Sequence, residues 1–247
     1  MRLAGAAALL FLFYQLPEGL GLRLLHAPVI AAALMTFFHV VAYVVGRVLG
    51  YRGFDAYAME LREGWARNLA VPFLLAVAAK GAALIVGALL GVYTIESGGT
   101  APAIGALVLT MLGTLAVTLV PSAAEDIVTR GFWFRAVPRR WTPVGFVVFS
   151  SVIYVLNHVY RLTHGPTEWL MLLCFGLAYA TALVRTGSLW AAIGLHWGWN
   201  FSGLLVDAFW STTVHSDWQS RGLSSGAHLL LLLAVLIPRR HARQTPQ

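Results

Sequence analysis

The sequence predicts an all-α fold, a polytopic transmembrane bundle of about eight helices. Three observations predict it. Hydrophobic residues fill 59% of the 247 positions and charged residues 11%, against about 45–50% and about 25% in a soluble domain. Mean hydropathy is +0.74. The apolar residues gather in eight runs, at 3–16, 27–49, 69–95, 103–120, 145–160, 169–184, 189–209 and 227–237. A span needs about 20 such residues, so the first and last runs must borrow flanking residues or re-enter. The runs use up most of the chain, so one membrane-embedded domain over 1–247 is expected, with no separate soluble module.

Taken in order, the chain starts with Met1-Arg2 and the run 3–16, the charged start and apolar body of a signal peptide. Gln15-Leu16-Pro17-Glu18-Gly19 offers no small-x-small cleavage site, so a retained first span is expected. The segment 51–68 reads as an interfacial amphipathic helix, with Phe54, Tyr57, Leu61 and Trp65 at helical spacing. Lys80 lies within the third run and is expected to face the bundle or snorkel to an interface. Pro121 closes the fourth run and is expected to kink or interrupt that helix. Trp141, Trp169, Trp190 and Trp210 sit near run ends, as in an aromatic belt. The lone Cys174 lies in an apolar run and excludes an intramolecular disulfide.

The net charge of +7 comes from 17 Lys+Arg, which in a soluble chain would suggest nucleic acid. Here the arginines cluster in short loops: Arg47, Arg52, Arg62 and Arg67; then Arg135, Arg139 and Arg140; then Arg185; then Arg239, Arg240 and Arg243. The segment 96–102 has none, and 161–168 and 211–226 have one each. That alternation is the signature of charges that set topology in a bilayer. No nucleic-acid partner is expected, and both termini are expected on the cytoplasmic side. Abundant Arg and Ala with almost no Lys suggests a bacterial inner membrane.

Three polar islands interrupt the apolar runs. The first is Glu125-Asp126-Ile-Val-Thr-Arg130, where two adjacent carboxylates stand at membrane depth, a costly placement that marks function by default. Asp126 and Arg130 are four apart with the acid first, the better order for a helical ion pair. Glu125 points about 100° away and stays available to face a cavity. The second island is Tyr154-x-x-x-His158, with Asn157 beside the histidine. The third is His196-x-x-x-Asn200, whose side chains project to one place. An imidazole and a carboxamide there suit a developing oxyanion. Any one of these islands could be a solvated helix end or a hydrogen-bonded clamp. Together they supply base, acid and oxyanion donors. His26, His39, His164, His215, His228 and His241 fall near run ends or in loops and receive no role.

The order Glu125-Asp126-x-x-x-Arg130, Tyr154-x-x-x-His158, His196-x-x-x-Asn200 resembles the three motifs of the CPBP family. Its members are the CAAX prenyl endopeptidases of the Rce1 type and their bacterial relatives. The family pattern is Glu-Glu-x-x-x-Arg, Phe-x-x-x-His, His-x-x-x-Asn or Asp, and Arg185-Thr-Gly-Ser-Leu-Trp190 resembles its lead-in to the last motif. The resemblance covers 117–209 as a catalytic core. Here Asp126 stands in place of the second Glu and Tyr154 in place of Phe.

Carried over, the resemblance implies intramembrane peptide hydrolysis without a covalent acyl-enzyme. Glu125 would be the base that activates water and His158 its assistant. His196 and Asn200 would form the oxyanion hole, with Arg130 holding the acidic pair. The implied substrate is a membrane-associated peptide or lipidated protein. No cofactor is expected; zinc held by Glu125, His158 and His196 is the alternative, opposed by Arg130 and by the lack of a His-Glu-x-x-His helix. Two other readings use the same residues. A catalytically silent scaffold or bacteriocin self-immunity protein would keep its phenotype without Glu125. Ion-coupled transport would show gradient-dependent flux, but no paired broken helices in repeated halves support it.

Overall fold

The computed structural model describes residues 2–97, 103–137 and 142–237. Within them the chain forms helices α1 (Arg2–Leu16), α2 (Pro28–Val48), α3 (Trp65–Leu89), α4 (Ile104–Asp126), a short α5 (Phe132–Arg135), α6 (Pro143–Asn157), α7 (Pro166–Thr186), α8 (Leu189–Phe209) and α9 (Asp217–Leu236). Two strands, β1 (Tyr93–Ser97) and β2 (Trp210–Val214), pair antiparallel. The fold is all-α, and every apolar run seeds a helix. Five helical stretches are long and apolar enough to cross a membrane: 2–24, 28–48, 65–89, 104–135 and 166–186. They make the chain an integral membrane protein. α6 is too short for that criterion, and α8 carries His196 and Asn200 in its middle.

The termini of these helices follow from local chemistry. Pro28, Pro143 and Pro166 open α2, α6 and α7 at positions where a missing N–H costs nothing. Thr142 caps α6 by accepting from the Gly145 amide at 3.1 Å. α7 ends on Gly187 in the left-handed region, φ 65°. α7 is the most enclosed candidate span, 67% buried, and packs against α6, α8 and α9.

The α3–α8 contact is the tightest in the bundle. Gly194 and Gly198, one turn apart on α8, lie directly against the backbone carbonyls of Leu69 and Phe73 on α3. Small residues at this spacing let backbones approach and substitute dispersion for the absent hydrophobic force. Gly198→Ala should lower stability by roughly 1–3 kcal/mol through overpacking, read as a lower thermal midpoint in detergent. An unchanged midpoint would mean that the two helices are free to separate.

Several expectations require correction. The segment 51–68 is not an amphipathic helix. Gly53 (φ 74°), Ala58 (φ 59°) and Gly64 (φ 84°) take left-handed conformations, leaving the short turn Phe54–Tyr57 and, from Trp65 on, the start of α3. This loop folds inward: Ala56 and Tyr57 are fully buried, and the Tyr57 hydroxyl donates to Ala42 O at 2.7 Å. The run 69–95 does not remain helical to its end, because Gly91 (φ 70°) turns the chain and Val92, Tyr93, Thr94 and Ile95 favour strand. Pro121 does not interrupt α4, which continues through it. The marginal first and last runs are longer than their apolar cores, as α1 extends through a wide turn Pro17–Leu24 and α9 begins at Asp217. Lys80 faces the bundle, its ammonium 4.6 Å from the Trp199 ring centroid. Residues 98–102, Arg139, Arg140, Trp141, Arg239, Arg240, His241 and Arg243 lie outside the described residues.

Candidate active site

The site begins with a wide helical turn. Immediately after Asp126 the α4 backbone passes into a π-turn, Ile127–Gly131, before α5. Such turns loosen the i→i−4 ladder and recur at functional sites. In an apolar interior every loosened carbonyl needs another donor. Thr129 Oγ1 donates to Glu125 O at 2.7 Å, Trp133 Nε1 to Val128 O at 2.9 Å and Ser150 Oγ to Thr129 O at 3.1 Å. Side chains thus hold open the turn that directly follows both carboxylates.

Glu125 is buried, at 6% exposure, and sits between two imidazoles. His158 Nε2 is 3.3 Å from Oε1, and His196 Nε2 is 3.6 Å from Oε2. Asn157 Nδ2 donates to Oε1 at 3.4 Å. His158 reaches this position because α6 ends there: it is the capping residue, at φ −83° and ψ 52°. Its Nδ1 lies 2.8 Å from Tyr154 O. A backbone carbonyl only accepts, so Nδ1 carries a hydrogen and Nε2 is the proton-exchanging atom that faces Glu125. The Glu125 carboxylate therefore faces the one imidazole nitrogen of His158 that is free to take or give a proton.

Asp126 organises the other half. It forms an ion pair with Arg130, both residues being fully buried. Its Oδ1 also receives His196 Nδ1 at 3.2 Å. The pair is thus not self-contained, because Asp126 also orients His196. The Arg130 guanidinium lies 5.0 Å from the Tyr154 ring centroid and 5.3 Å from that of Tyr179, favourable cation–π placements. Asn200 does not point at Glu125 with its whole carboxamide: Nδ2 donates to Ser122 Oγ at 3.1 Å, one turn before the acidic pair. All three islands therefore converge on α4.

Four contributors carry no motif of their own. Tyr179 on α7 stacks on His196, 5.1 Å between centroids and 20° between planes. His228 on α9 stands behind it, with Nε2 2.9 Å from the Tyr179 hydroxyl and Nδ1 2.9 Å from Ser224 O. Gln15 on α1 donates to Asn157 O at 2.9 Å and to Asn157 Oδ1 at 3.1 Å. Ser122 is the fourth. Polar residues in apolar runs were the available signal for Gln15 and His228. Ser122 and Tyr179 look like ordinary helix residues.

A cavity of about 60 Å³ adjoins His158 and Asn157 and is lined further by Tyr14, Gln15, Glu18 and Arg161. It is large enough for a water molecule, which needs about 10–15 Å³. Among the described residues no group of three or more His, Cys, Asp or Glu is arranged to hold a metal ion. Residues 107–202, which include Glu125, His158, His196 and Asn200, match the model of the Rce1-like type II CAAX prenyl endopeptidase family. No curated protein matches the chain.

Proposed function

We propose, from the premise that residues 107–202 are an Rce1-like CAAX endopeptidase domain, that the chain is an intramembrane endopeptidase. It hydrolyses a peptide bond of a membrane-associated peptide or lipidated protein. The observation that carries this reading is the buried Glu125 carboxylate held between His158 and His196, with His158 and Asn157 in turn lining a water-sized cavity.

In the proposed reaction Glu125 takes a proton from water while the hydroxide oxygen bonds to the scissile carbonyl carbon. The carbonyl π electrons move to oxygen and form the tetrahedral oxyanion. His196 and Asn200 donate to it. With Nδ1–H committed to Asp126, His196 donates from Nε2 only once that atom has itself taken a proton. The C–N bond then breaks as the proton held by Glu125 and His158 passes to the leaving nitrogen. Arg130 and Asp126 position these groups without touching substrate. The setting is a bacterial inner membrane with both termini cytoplasmic.

The test uses purified protein in detergent with quenched peptides, some lipidated, with and without a strong chelator. Cleavage that survives chelation and is lost in Glu125→Gln supports the glutamate mechanism. Loss in both conditions revives zinc at Glu125, His158 and His196. No cleavage together with a phenotype that survives Glu125→Gln favours the silent scaffold. Asn200→Ala should lower kcat by roughly 10²–10³-fold, the scale of one oxyanion donor, with KM little changed. Equal losses in kcat for a distant α8 variant would remove Asn200 from that role.

A further inference from the structure

We infer that Tyr179 on α7 and His228 on α9 are a positioning pair for His196. Their buried hydrogen bond fixes the Tyr179 ring, and the face of that ring holds the His196 imidazole with Nε2 toward Glu125. Helix α9, which lies beyond the matched residues 107–202, thereby becomes part of the site. The consequence for turnover rests on the proposed hydrolysis; the placement of the ring does not.

Asp126 alone does not fix the imidazole. It holds Nδ1 at 3.2 Å, but the torsion that turns a histidine ring about its Cβ–Cγ bond is soft. A ring anchored at one nitrogen can tilt and carry Nε2 away from Glu125 Oε2, which lies 3.6 Å from it. Two aromatic neighbours limit that tilt. Tyr154 meets the imidazole edge-on, with centroids 6.1 Å apart and planes at 77°. Tyr179 lies nearly parallel to it, with 5.1 Å between centroids and 20° between planes. The flat contact sets the plane, because a tilt about Cβ–Cγ drives an imidazole edge into the Tyr179 face.

The Tyr179 ring is held in turn through its hydroxyl. His228 Nδ1 lies 2.9 Å from Ser224 O, a carbonyl that can only accept. In the neutral ring Nδ1 therefore carries the hydrogen and Nε2 the lone pair. The Tyr179 hydroxyl donates to that lone pair across 2.9 Å. Both residues are fully buried. His228 is itself clamped, stacked on Phe175 with centroids 3.4 Å apart and set edge-on to Trp199 at 4.3 Å.

The choice of residue types points to a role. Phe or Leu at 228 would fill the space between Phe175 and Trp199 and bury no polar atom. A histidine there, in the apolar interior, is costly unless its nitrogens are used. What it adds is an acceptor for Tyr179, and what Tyr179 adds over Phe is the matching donor. The result is a ring that cannot swing away from His196.

The test reads ring and reaction separately in detergent. The proteins are wild type, Tyr179→Phe, His228→Leu, His228→Gln and the double variant Tyr179→Phe with His228→Leu. Gln offers an amide oxygen that can accept from Tyr179. The ring is read without turnover, by NMR of protein carrying isotope-labelled histidine. The His196 ring protons feel the ring current of the Tyr179 face and are assigned by their loss in His196→Gln. Their signals should move or broaden in Tyr179→Phe and in His228→Leu, and return toward wild type in His228→Gln. On quenched peptides kcat should fall by about tenfold, towards the roughly 10²-fold of a 1 Å misplacement, with KM within about twofold. His228→Gln should regain most of that loss. The double variant leaves no hydroxyl buried without a partner, yet it should stay as impaired as either single change. Unmoved His196 signals in both single variants overturn the inference, as does a double variant that recovers signals and kcat. Moved signals in a protein whose wild type cuts no peptide uphold the positioning and count against the hydrolysis alone. Should His228→Leu fail to fold, Tyr179→Phe, which deletes a single oxygen, carries the test.

Discussion

Glu125→Gln should abolish peptide hydrolysis, lowering kcat by at least the roughly 10²–10⁴-fold expected for loss of a positioned general base. The substitution is nearly isosteric. Gln keeps an oxygen that can accept from Asn157 Nδ2, the donor 3.4 Å from Oε1 in the native protein. It loses the ability to hold a proton taken from water, and it no longer offers a carboxylate to His158 Nε2 across 3.3 Å. Stability should change little, because an amide replaces a carboxylate that is buried at high desolvation cost. Activity and thermal midpoint measured on the same preparation therefore separate base from scaffold. Activity within a few fold of wild type would move the base elsewhere. A midpoint that collapses with the activity would show that Glu125 holds the bundle together.

His158 and His196 flank the same carboxylate, yet their roles differ because their second nitrogens differ. A backbone carbonyl behind His158 accepts from its Nδ1–H, so Nε2 is the atom left to exchange a proton with Glu125. A carboxylate behind His196 fixes its Nδ1–H and aims its Nε2 at the place where an oxyanion would form. The spacing Tyr154-x-x-x-His158 brings its own acceptor, since the carbonyl four residues back is within reach of a histidine at a helix end. The family-like pair Glu125-Asp126 does the equivalent for His196. One carboxylate faces the reaction and its neighbour faces the imidazole. The shorter Asp126 side chain still spans both Arg130 and His196.

The helices were legible because the apolar runs fill most of the chain, and periodicity is not needed when all faces are apolar. The inward loop was not. Phe54, Tyr57, Leu61 and Trp65 have helical spacing, but left-handed turns at Gly53 and Gly64 bracket the first three and separate them from Trp65 on α3, and backbone preference decided against pattern. The convergence of Glu125, His158 and His196 was readable from the cost of polar groups in apolar runs. The partners that orient them were not. Ser122 and Tyr179 have no unusual sequence context, and their contacts to Asn200 and His196 exist only once α4, α7 and α8 are packed. Gln15 lies far from the motifs in sequence, and its bond to Asn157 shows that α1 supports the site from outside the matched stretch.

Arg130→Met should be the most destabilising single change at the site, costing about 3–5 kcal/mol, the range for removing one partner of a buried ion pair. Arg130 and Asp126 are both fully buried, so water cannot compensate the carboxylate left behind. The guanidinium also fills the space between the Tyr154 and Tyr179 rings, and Met replaces its volume but not its charge. Its Nε and Nη2 have no hydrogen-bond acceptor among the described residues, so most of its electrostatic contribution is the attraction to Asp126 and the ring faces. Asp126→Asn together with Arg130→Met removes both charges and should be more stable than Arg130→Met alone. The double variant separates folding from chemistry. It restores the bundle, but the amide that replaces the Asp126 carboxylate can donate as well as accept and no longer fixes the orientation and tautomer of His196, so turnover should stay low while the thermal midpoint recovers. Recovery of both would make the pair a packing device. Recovery of neither would mean that the aromatic cage around Arg130, and not Asp126, is what the cation holds in place.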